Sequence, residues 1–345
     1  MRVLMLHDGT ETCNMILSNL DAITDCSEHV TSLKVDRPKG FLLESGGGLK
    51  EYLGDPAQIE NDPSLQEAEI VIVHLSPFSG EAIRRCPDLK LIASARSSAV
   101  NVDVRAASER HIPVVACPGR NARAVAEFTI GLAFALCRKI ARADRVVREG
   151  LWTPALKRSA LAGPELEGKT FGVVGYGSIG RIVGSLAAAL GMKVVFYDPA
   201  ISGSKADGQV DFEDLLRTAD FVSLHARAPE GPSPKPMIGQ RELSMMKPTA
   251  YLINTARGCL IDETALEQAL RDGVIAGAAL DTFIDEPLPM SSALLEAPNV
   301  LLAPHVGGNS TDQARHAASM LVGRVHAYLR GETLPSYVVE NHAEV

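Results

Sequence analysis

The sequence predicts an α/β protein of two doubly wound parallel-sheet domains, and three observations carry that reading. Short apolar runs alternate with helical patterns along the whole chain, the signature of parallel strands joined by crossover helices. At 345 residues the chain is longer than one typical domain of about 150. The strand-like runs also fall into two series separated by a long helical segment, so two sheets fit better than one.

The first series comprises Arg2–Leu6, Ile70–His74, Leu89–Ser94 and Pro113–Ala116. Asn121–Glu149 follows, where Asn121 suits a helix cap and Val125–Cys137 is apolar on nearly every face. Such a helix must be buried and is expected at the seam between domains. Leu161–Gly168, with Gly163-Pro164 and Gly168, is a turn-rich lead into the second series. That series runs through Thr170–Val174, Lys193–Tyr197, Phe221–Leu224, Ala250–Asn254, Gly277–Leu280 and Val300–Ala303. Thr311–Arg330 reads as a helix that returns the chain to the first domain. The second domain, 121–306, is therefore expected as an insertion within a first domain made of 1–120 and 307–345. Phe41–Asp62, with Gly46-Gly47-Gly48, has little periodicity and reads as a surface excursion to which no function is assigned.

Composition narrows the function classes. With 46% hydrophobic and 22% charged residues the chain has an ordinary soluble composition. Its net charge of −8 comes from scattered acids and bases, so no basic stripe awaits a nucleic acid backbone. The apolar part of Met1–Asp8 is too short for a signal peptide, and no uninterrupted apolar stretch reaches the length of a membrane span. A cytoplasmic protein without a membrane partner is expected. Its six cysteines show neither a C-x-x-C pair nor a metal-like spacing with histidine, so reduced thiols and no metal are expected. Cys117 and Cys137 read as packing residues, and the neighbours of Cys259 make no case for a nucleophile.

The run Lys169–Val174 leads into Gly175-Tyr176-Gly177-Ser178-Ile179-Gly180 and then a helical pattern. Between strand and helix each glycine has a physical task. Gly175 makes the tight turn, Gly177 lets backbone approach a diphosphate, and Gly180 lets the helix pack on the strand. The helix N-terminus then offers free N–H groups to the anion. Asp198 lies eighteen residues beyond Gly180 at the end of the next strand, where a carboxylate accepts hydrogen bonds from the adenosine ribose and repels a 2′-phosphate. NAD is expected rather than NADP.

Three further segments end strands with polar residues, where ligands of open α/β sheets bind. They are Asn254-Thr255-Ala256-Arg257-Gly258, Asp281-Thr282-Phe283-Ile284-Asp285-Glu286-Pro287 and Ala303-Pro304-His305-Val306-Gly307-Gly308. Taken singly, an Arg after a strand more often ends in a surface ion pair, and a lone His is commonly structural. In this order, with the glycine turn and Asp198, the chain resembles the D-isomer-specific 2-hydroxyacid dehydrogenase family, in its phosphoglycerate dehydrogenase-like branch, from about residue 65 to 330. The resemblance implies a Rossmann cofactor domain inserted into a flavodoxin-like substrate domain, and a homodimer contacting through the cofactor domain and the helix near 121–150. It implies hydride transfer between nicotinamide and C2 of a D-2-hydroxy acid or 2-oxo acid, phosphorylated and sugar-derived acids included.

A guanidinium suits the substrate carboxylate and the carbonyl beside it, and Arg257 matches that position. Imidazole titrates near neutral pH, and His305 matches the family's proton donor and acceptor, with Glu286 its carboxylate partner. Asp281 matches the acceptor for the nicotinamide carboxamide. Ser97, Ser178, Ile179, Ala226, Thr255, Ala256, Gly307 and Gly308 match or adjoin other cofactor-lining positions.

The pattern departs from the family at Ala95-Arg96-Ser97-Ser98-Ala99-Val100-Asn101-Val102-Asp103, where Arg96 and Ser98 replace glycines of the substrate loop. Arg96, Ser97 and Ser98 are expected to read a phosphate or a polyol hydroxyl beyond C2. A second departure is the stretch Ala226–Pro232, where the family commonly has His-x-Pro directly. The chain ends at Val345 soon after the return helix, so a C-terminal regulatory domain is not expected. Two other readings stay open: a glyoxylate or hydroxypyruvate reductase, and a non-catalytic NAD(H)-sensing binding protein of the same fold.

Overall fold

The computed structural model describes residues 1–21, 30–36, 56–201, 207–227, 235–332 and 338–339. Most of the excursion 41–62, and the Pro-rich stretch from Ala228 onward, lie outside the described residues. The chain divides into two compact units, Met1–Asn121 with Ser310–Val345, and Ala122–Asn309. The second crossing falls three residues beyond the expected one because the N–H groups of Val306 and Gly307 both donate to Asp281, which holds them to the second unit.

In the first unit the strands β1 (Val3–His7), β2 (Val30–Lys34), β3 (Ile70–Val73), β4 (Leu91–Ser94), β5 (Val114–Val115) and β12 (Val338–Val339) form one sheet. Its order is β12-β5-β4-β3-β1-β2. All neighbours are parallel except β12, which is antiparallel to β5. Without β12 the order is that of a flavodoxin-like sheet. The inner strands are buried on both faces, which is why they read as continuous apolar runs.

Successive side chains divide between two cores, as the period of two requires. Val3, Met5, Ile70, Ile72, Leu91, Ala93 and Val115 pack on one face with helices α1 (Glu11–Asp21) and α11 (Gln313–Leu329). Leu4, Leu6, Val71, Val73, Ile92 and Val114 face the other core, with α2 (Ala57–Glu60), α3 (Gly80–Arg84) and α4 (Val104–Glu109).

The second unit opens with α5 (Ala122–Cys137) and α6 (Ile140–Arg148), separated at Lys139, which adopts left-handed backbone with φ of 54°. The expected helix over 121–149 is thus two. Its apolar part, α5, packs on the second unit's own sheet through Leu132, Ala133 and Leu136. That sheet comprises β6 (Thr170–Val174), β7 (Lys193–Tyr197), β8 (Phe221–Leu224), β9 (Tyr251–Asn254), β10 (Gly277–Leu280) and β11 (Val300–Leu302), in the order β11-β10-β9-β8-β6-β7 and wholly parallel.

Beyond β7 a single parallel bridge joins Phe196 to Gln209. Counting it as a rudimentary third strand gives the 3-2-1-4-5-6 order of a dinucleotide-binding sheet, with one further strand, β11, at the far edge. Helices α5 and α7 (Ser178–Ala189) cover one face. The other carries α8 (Phe212–Thr218), α9 (Gln240–Met245) and α10 (Glu263–Arg271). The strand order reverses between β6 and β8, so a crevice for a ligand is expected at their carboxyl ends.

Candidate functional site

At that reversal the turn after β6 carries the three glycines. Gly175 has φ of 89°, and a Cβ there would stand 2.6 Å from the backbone N of Ala226. A side chain is therefore excluded twice, by backbone conformation and by the approach of β8, which sets Ala226 beside the turn. A Cβ at Gly180 would lie 2.1 Å from the carbonyl O of Gly175, so α7 sits directly on the turn. Gly177 differs: nothing lies within 4 Å of the position its Cβ would take. The space is open at the one glycine that needs no space for packing, and Gly177 and Ser178 are exposed at the N-terminus of α7, with Ile179 behind them.

Asp198 follows β7 and ties this turn down. Its Oδ2 accepts from Tyr176 N at 2.8 Å and its Oδ1 from Ala200 N at 2.9 Å. Tyr176 stacks on Phe196 with centroids 3.9 Å apart. The residues therefore fit a dinucleotide: a glycine turn with room for a diphosphate, free N–H groups at a helix start, and a fixed carboxylate at the end of the neighbouring strand.

The other polar segments converge within the same unit at the ends of β9, β10 and β11. The Asn254 side chain shapes the turn after β9, donating to the carbonyl of Arg257 at 2.8 Å and accepting from Ala256 N at 3.0 Å. Thr255 Oγ1 is 2.8 Å from Thr129 Oγ1, which anchors the turn to α5. A Cβ at Gly258 would stand 1.9 Å from the backbone carbon of Phe283, so the turns after β9 and β10 pass backbone against backbone. This contact brings the exposed Arg257 near the loop that bears Glu286. Arg257 Nη1 donates to the carbonyl of Ala256 at 2.7 Å.

In that loop Glu286 Oε1 accepts from Phe283 N at 3.0 Å, while Oε2 lies 2.7 Å from His305 Nδ1. The His305 side chain is 50% exposed and that of Glu286 34%, so the pair is open to a ligand. His305 has φ of 53°, a left-handed conformation that a loop must enforce on a non-glycine residue. Asp281, buried at the end of β10, does so: its two carboxylate oxygens accept from Val306 N and Gly307 N, each at 2.8 Å. Gly307 is required for this approach, since a Cβ would meet Asp281 Oδ2 at 2.8 Å, and Gly308 continues the loop. Because ionised Glu286 only accepts, Nδ1 carries the hydrogen and Nε2 is the nitrogen left for proton exchange.

Sequence reasoning missed three supports of this arrangement: Asn254, Thr129 and Glu263. Glu263, in the first turn of α10, accepts from Ile284 N at 2.8 Å and so braces the Glu286 loop. Burial, and then repulsion from Asp285 and Glu286, push its carboxyl above the usual range. A helix start with adjacent acids reads as capping in the sequence, and the tie to Ile284 leaves no local pattern. His225, read as structural, ends β8 with Nε2 2.9 Å from Ser223 Oγ, and burial pushes its ring down to about 3, so it is neutral.

In the first unit Arg96, Ser97 and Ser98 follow β4, with both serines exposed. Asp8, Cys13 and His74 group their donor atoms within 4.8 Å of one another among the described residues. They are buried and bonded to each other and to Thr10: Cys13 Sγ to Asp8 Oδ1 at 3.2 Å, and Thr10 Oγ1 to His74 Nδ1 at 3.0 Å. Burial, then the charge of Asp8, push the Cys13 thiol up to about 12. Among the described residues no helix is long and apolar enough to cross a membrane.

A family model for the NAD binding domain of D-isomer specific 2-hydroxyacid dehydrogenases matches residues 130–307. The chain is 37% identical over 281 residues to the glyoxylate reductase of Korarchaeum cryptofilum, covering 80% of this chain and 84% of that protein. It is 38% identical over 317 residues to the D-3-phosphoglycerate dehydrogenase of Methanocaldococcus jannaschii, 90% of this chain but 57% of that longer protein. Among solved structures, the NAD-complexed D-isomer specific 2-hydroxyacid dehydrogenase of Lactobacillus delbrueckii ssp. bulgaricus superimposes with a TM-score of 0.78 at 25% identity, covering 98% of this chain and all of the other.

Proposed function

The chain belongs to the D-isomer-specific 2-hydroxyacid dehydrogenase family, and from that premise we propose that Arg257, Glu286 and His305 interconvert a D-2-hydroxy acid and its 2-oxo acid with NAD. The observation that carries the reading is the 2.7 Å pair of His305 Nδ1 and Glu286 Oε2 in a loop pinned by Asp281. A structural histidine needs no such bracing of a strained, exposed backbone position.

The glycine turn, Ser178, Ile179, Ala226, Thr255, Ala256 and Asp198 would hold NAD, whose nicotinamide supplies or accepts the hydride at C2. The Asp281 carboxylate keeps acceptor capacity beyond its two backbone bonds and suits the carboxamide N–H. Arg257 grips the carboxylate of the acid with its forked donors and polarises the adjacent carbonyl oxygen. His305 delivers a proton from Nε2 to that oxygen in reduction and removes it in oxidation. Glu286 stabilises the imidazolium and holds the ring so that Nε2 points outward.

Relatives named as glyoxylate reductase and as phosphoglycerate dehydrogenase leave the acid a matter of the first unit's residues, among them Arg96, Ser97 and Ser98. A homodimer is supported by α6 and the segment after it: no residue of α6 is buried, and Ile140 and Val147 on it, with Leu151 and Trp152 beyond it, are each more than half exposed. The five described cysteines are free thiols, which supports a reducing, cytoplasmic setting.

A positioned acid-base group contributes about a hundred- to ten-thousandfold in rate. His305→Gln is therefore expected to lower kcat by that order while NADH still binds with wild-type affinity, read by fluorescence titration. Wild-type turnover in His305→Gln would move the proton transfer to another group.

A further inference from the structure

The first unit's sheet has a reversal point of its own. Apart from β12 its order is β5-β4-β3-β1-β2, so the strand order turns back between β1 and β3, and the carboxyl ends of those two strands flank the place where open α/β sheets take ligands. Four polar side chains meet there. Asp8 follows β1, Thr10 precedes α1, Cys13 lies in the first turn of α1, and His74 follows β3. Because His74 lies far along the chain from Asp8 and Cys13, no sequence spacing announces the set, and no metal is expected from the sequence.

The donor atoms suit a single ion. Cys13 Sγ lies 3.2 Å from Asp8 Oδ1 and His74 Nδ1 lies 3.3 Å from Asp8 Oδ2, with one donor atom of each residue within 4.8 Å of the others. Zinc bonds of about 2.0–2.3 Å to nitrogen, oxygen and sulfur set tetrahedral donor separations of about 3.3–3.8 Å. Asp8, Cys13 and His74 are all buried, while Gly9 is exposed, so the cluster lies just beneath the surface. The carboxylate is already oriented, accepting from Leu75 N at 2.7 Å, Thr10 N at 3.0 Å and Thr10 Oγ1 at 2.6 Å. Outer hydrogen bonds of this kind hold a metal ligand in place. Thr10 Oγ1 is also 3.0 Å from His74 Nδ1, which leaves the hydroxyl oxygen within reach as a fourth donor.

We propose that Asp8, Cys13 and His74 form a structural site for a thiophilic divalent ion of the zinc class, which ties the carboxyl ends of β1 and β3 to the start of α1. A mixed set of oxygen, nitrogen and sulfur donors selects zinc over magnesium or calcium, which take oxygen. Carboxylate and thiolate together cancel the divalent charge and imidazole adds a neutral donor, so the buried ion is balanced. Binding breaks the Cys13 S–H bond, forms a sulfur–metal bond and releases the proton to the buffer. Burial holds the thiol protonated only until the charge of the ion arrives. The site lies wholly within the first unit and does not depend on the dehydrogenase reading.

The test uses the full chain, stripped of metal by a chelator and dialysis, with Co²⁺ as the spectroscopic probe for Zn²⁺. Thiolate-bound tetrahedral Co²⁺ gives a near-ultraviolet charge-transfer band, which is expected to saturate at one Co²⁺ per chain and to vanish when Zn²⁺ displaces it. Saturating Zn²⁺ is expected to raise Tm by several degrees while Mg²⁺ leaves it unchanged, since an ion that binds the folded state stabilises it. Cys13→Ala is expected to lose both the band and the Zn²⁺-dependent rise in Tm. His74→Gln is expected to weaken Co²⁺ binding by more than about tenfold, the scale lost even with an outer partner of a ligand. Cys259→Ser keeps the band.

No charge-transfer band in the wild type, a band that survives Cys13→Ala, or an equal rise in Tm with Mg²⁺ overturns the proposal. Should Cys13→Ala not fold, the Co²⁺ affinities of Cys13→Ser and His74→Gln decide, and wild-type affinity in both overturns it.

Discussion

Single side chains at the ends of strands carry the proposed function, and in Asp198 two structural bonds coincide with the cofactor-specificity role proposed for it. Its carboxylate accepts from Tyr176 N and Ala200 N, which fixes a negative charge at the end of β7 beside the glycine turn. A 2′-phosphate brought there meets like charge. Asp198→Ser is expected to raise the NADPH to NADH ratio of kcat/KM by about tenfold or more, the scale of one like-charge contact near a surface. An unchanged ratio would place cofactor choice elsewhere. At this scale the sequence exposes Arg257, Glu286 and His305 because each lies in a polar segment that follows a strand-like run. Thr129 and Glu263 escape notice because their partners, Thr255 and Ile284, lie in turns remote in the sequence.

Elements carry the next level of constraint, most visibly where α7 meets β6. Gly180 and Gly177 stand three residues apart in one turn, yet their surroundings predict opposite effects of the same added methyl. In Gly180→Ala the Cβ would meet the Gly175 carbonyl at 2.1 Å, so α7 must lift from the turn. Overpacking of this kind costs about 1–3 kcal/mol, and both Tm and NADH affinity should fall. In Gly177→Ala the Cβ enters open space, so Tm should hold while NADH affinity falls, because the methyl occupies room for the diphosphate. Calorimetry and NADH titration on both variants check this, and a stable, normally binding Gly180→Ala would refute the packing argument. Strands buried on both faces were legible residue for residue, as in β6, β8 and β10. The edge strand β2 was not: its alternation Val30-Thr31-Ser32-Leu33-Lys34 exposes polar side chains and resembles a loop. The break between α5 and α6 was hidden because Lys139, in left-handed conformation, is not a residue that announces a turn.

Across the whole molecule, the chain leaves the first unit at Asn121 and returns at Ser310, so the two halves of the first sheet's support come from opposite ends of the sequence. The α1 and α11 helices meet in that unit's core although about three hundred residues separate them. The first unit is therefore assembled from two separate stretches of sequence, whereas the second unit, Ala122–Asn309, is continuous and contains the glycine turn and all three proposed catalytic residues. The two sheets were legible because each series of strands carries its own periodicity. The identity of the acid was not, since no general motif in the sequence specifies it.

The most direct test of the central claim, that the second unit's trio moves hydride at C2 of a D acid, is NADH formation from NAD⁺ with paired D and L enantiomers of 2-hydroxy acids, glycerate and its phosphorylated form among them. Wild-type protein should reduce NAD⁺ with a D enantiomer and leave its L partner unused. NAD⁺ reduction with the L enantiomer alone, or with neither enantiomer of any pair while NADH binds tightly, would contradict it.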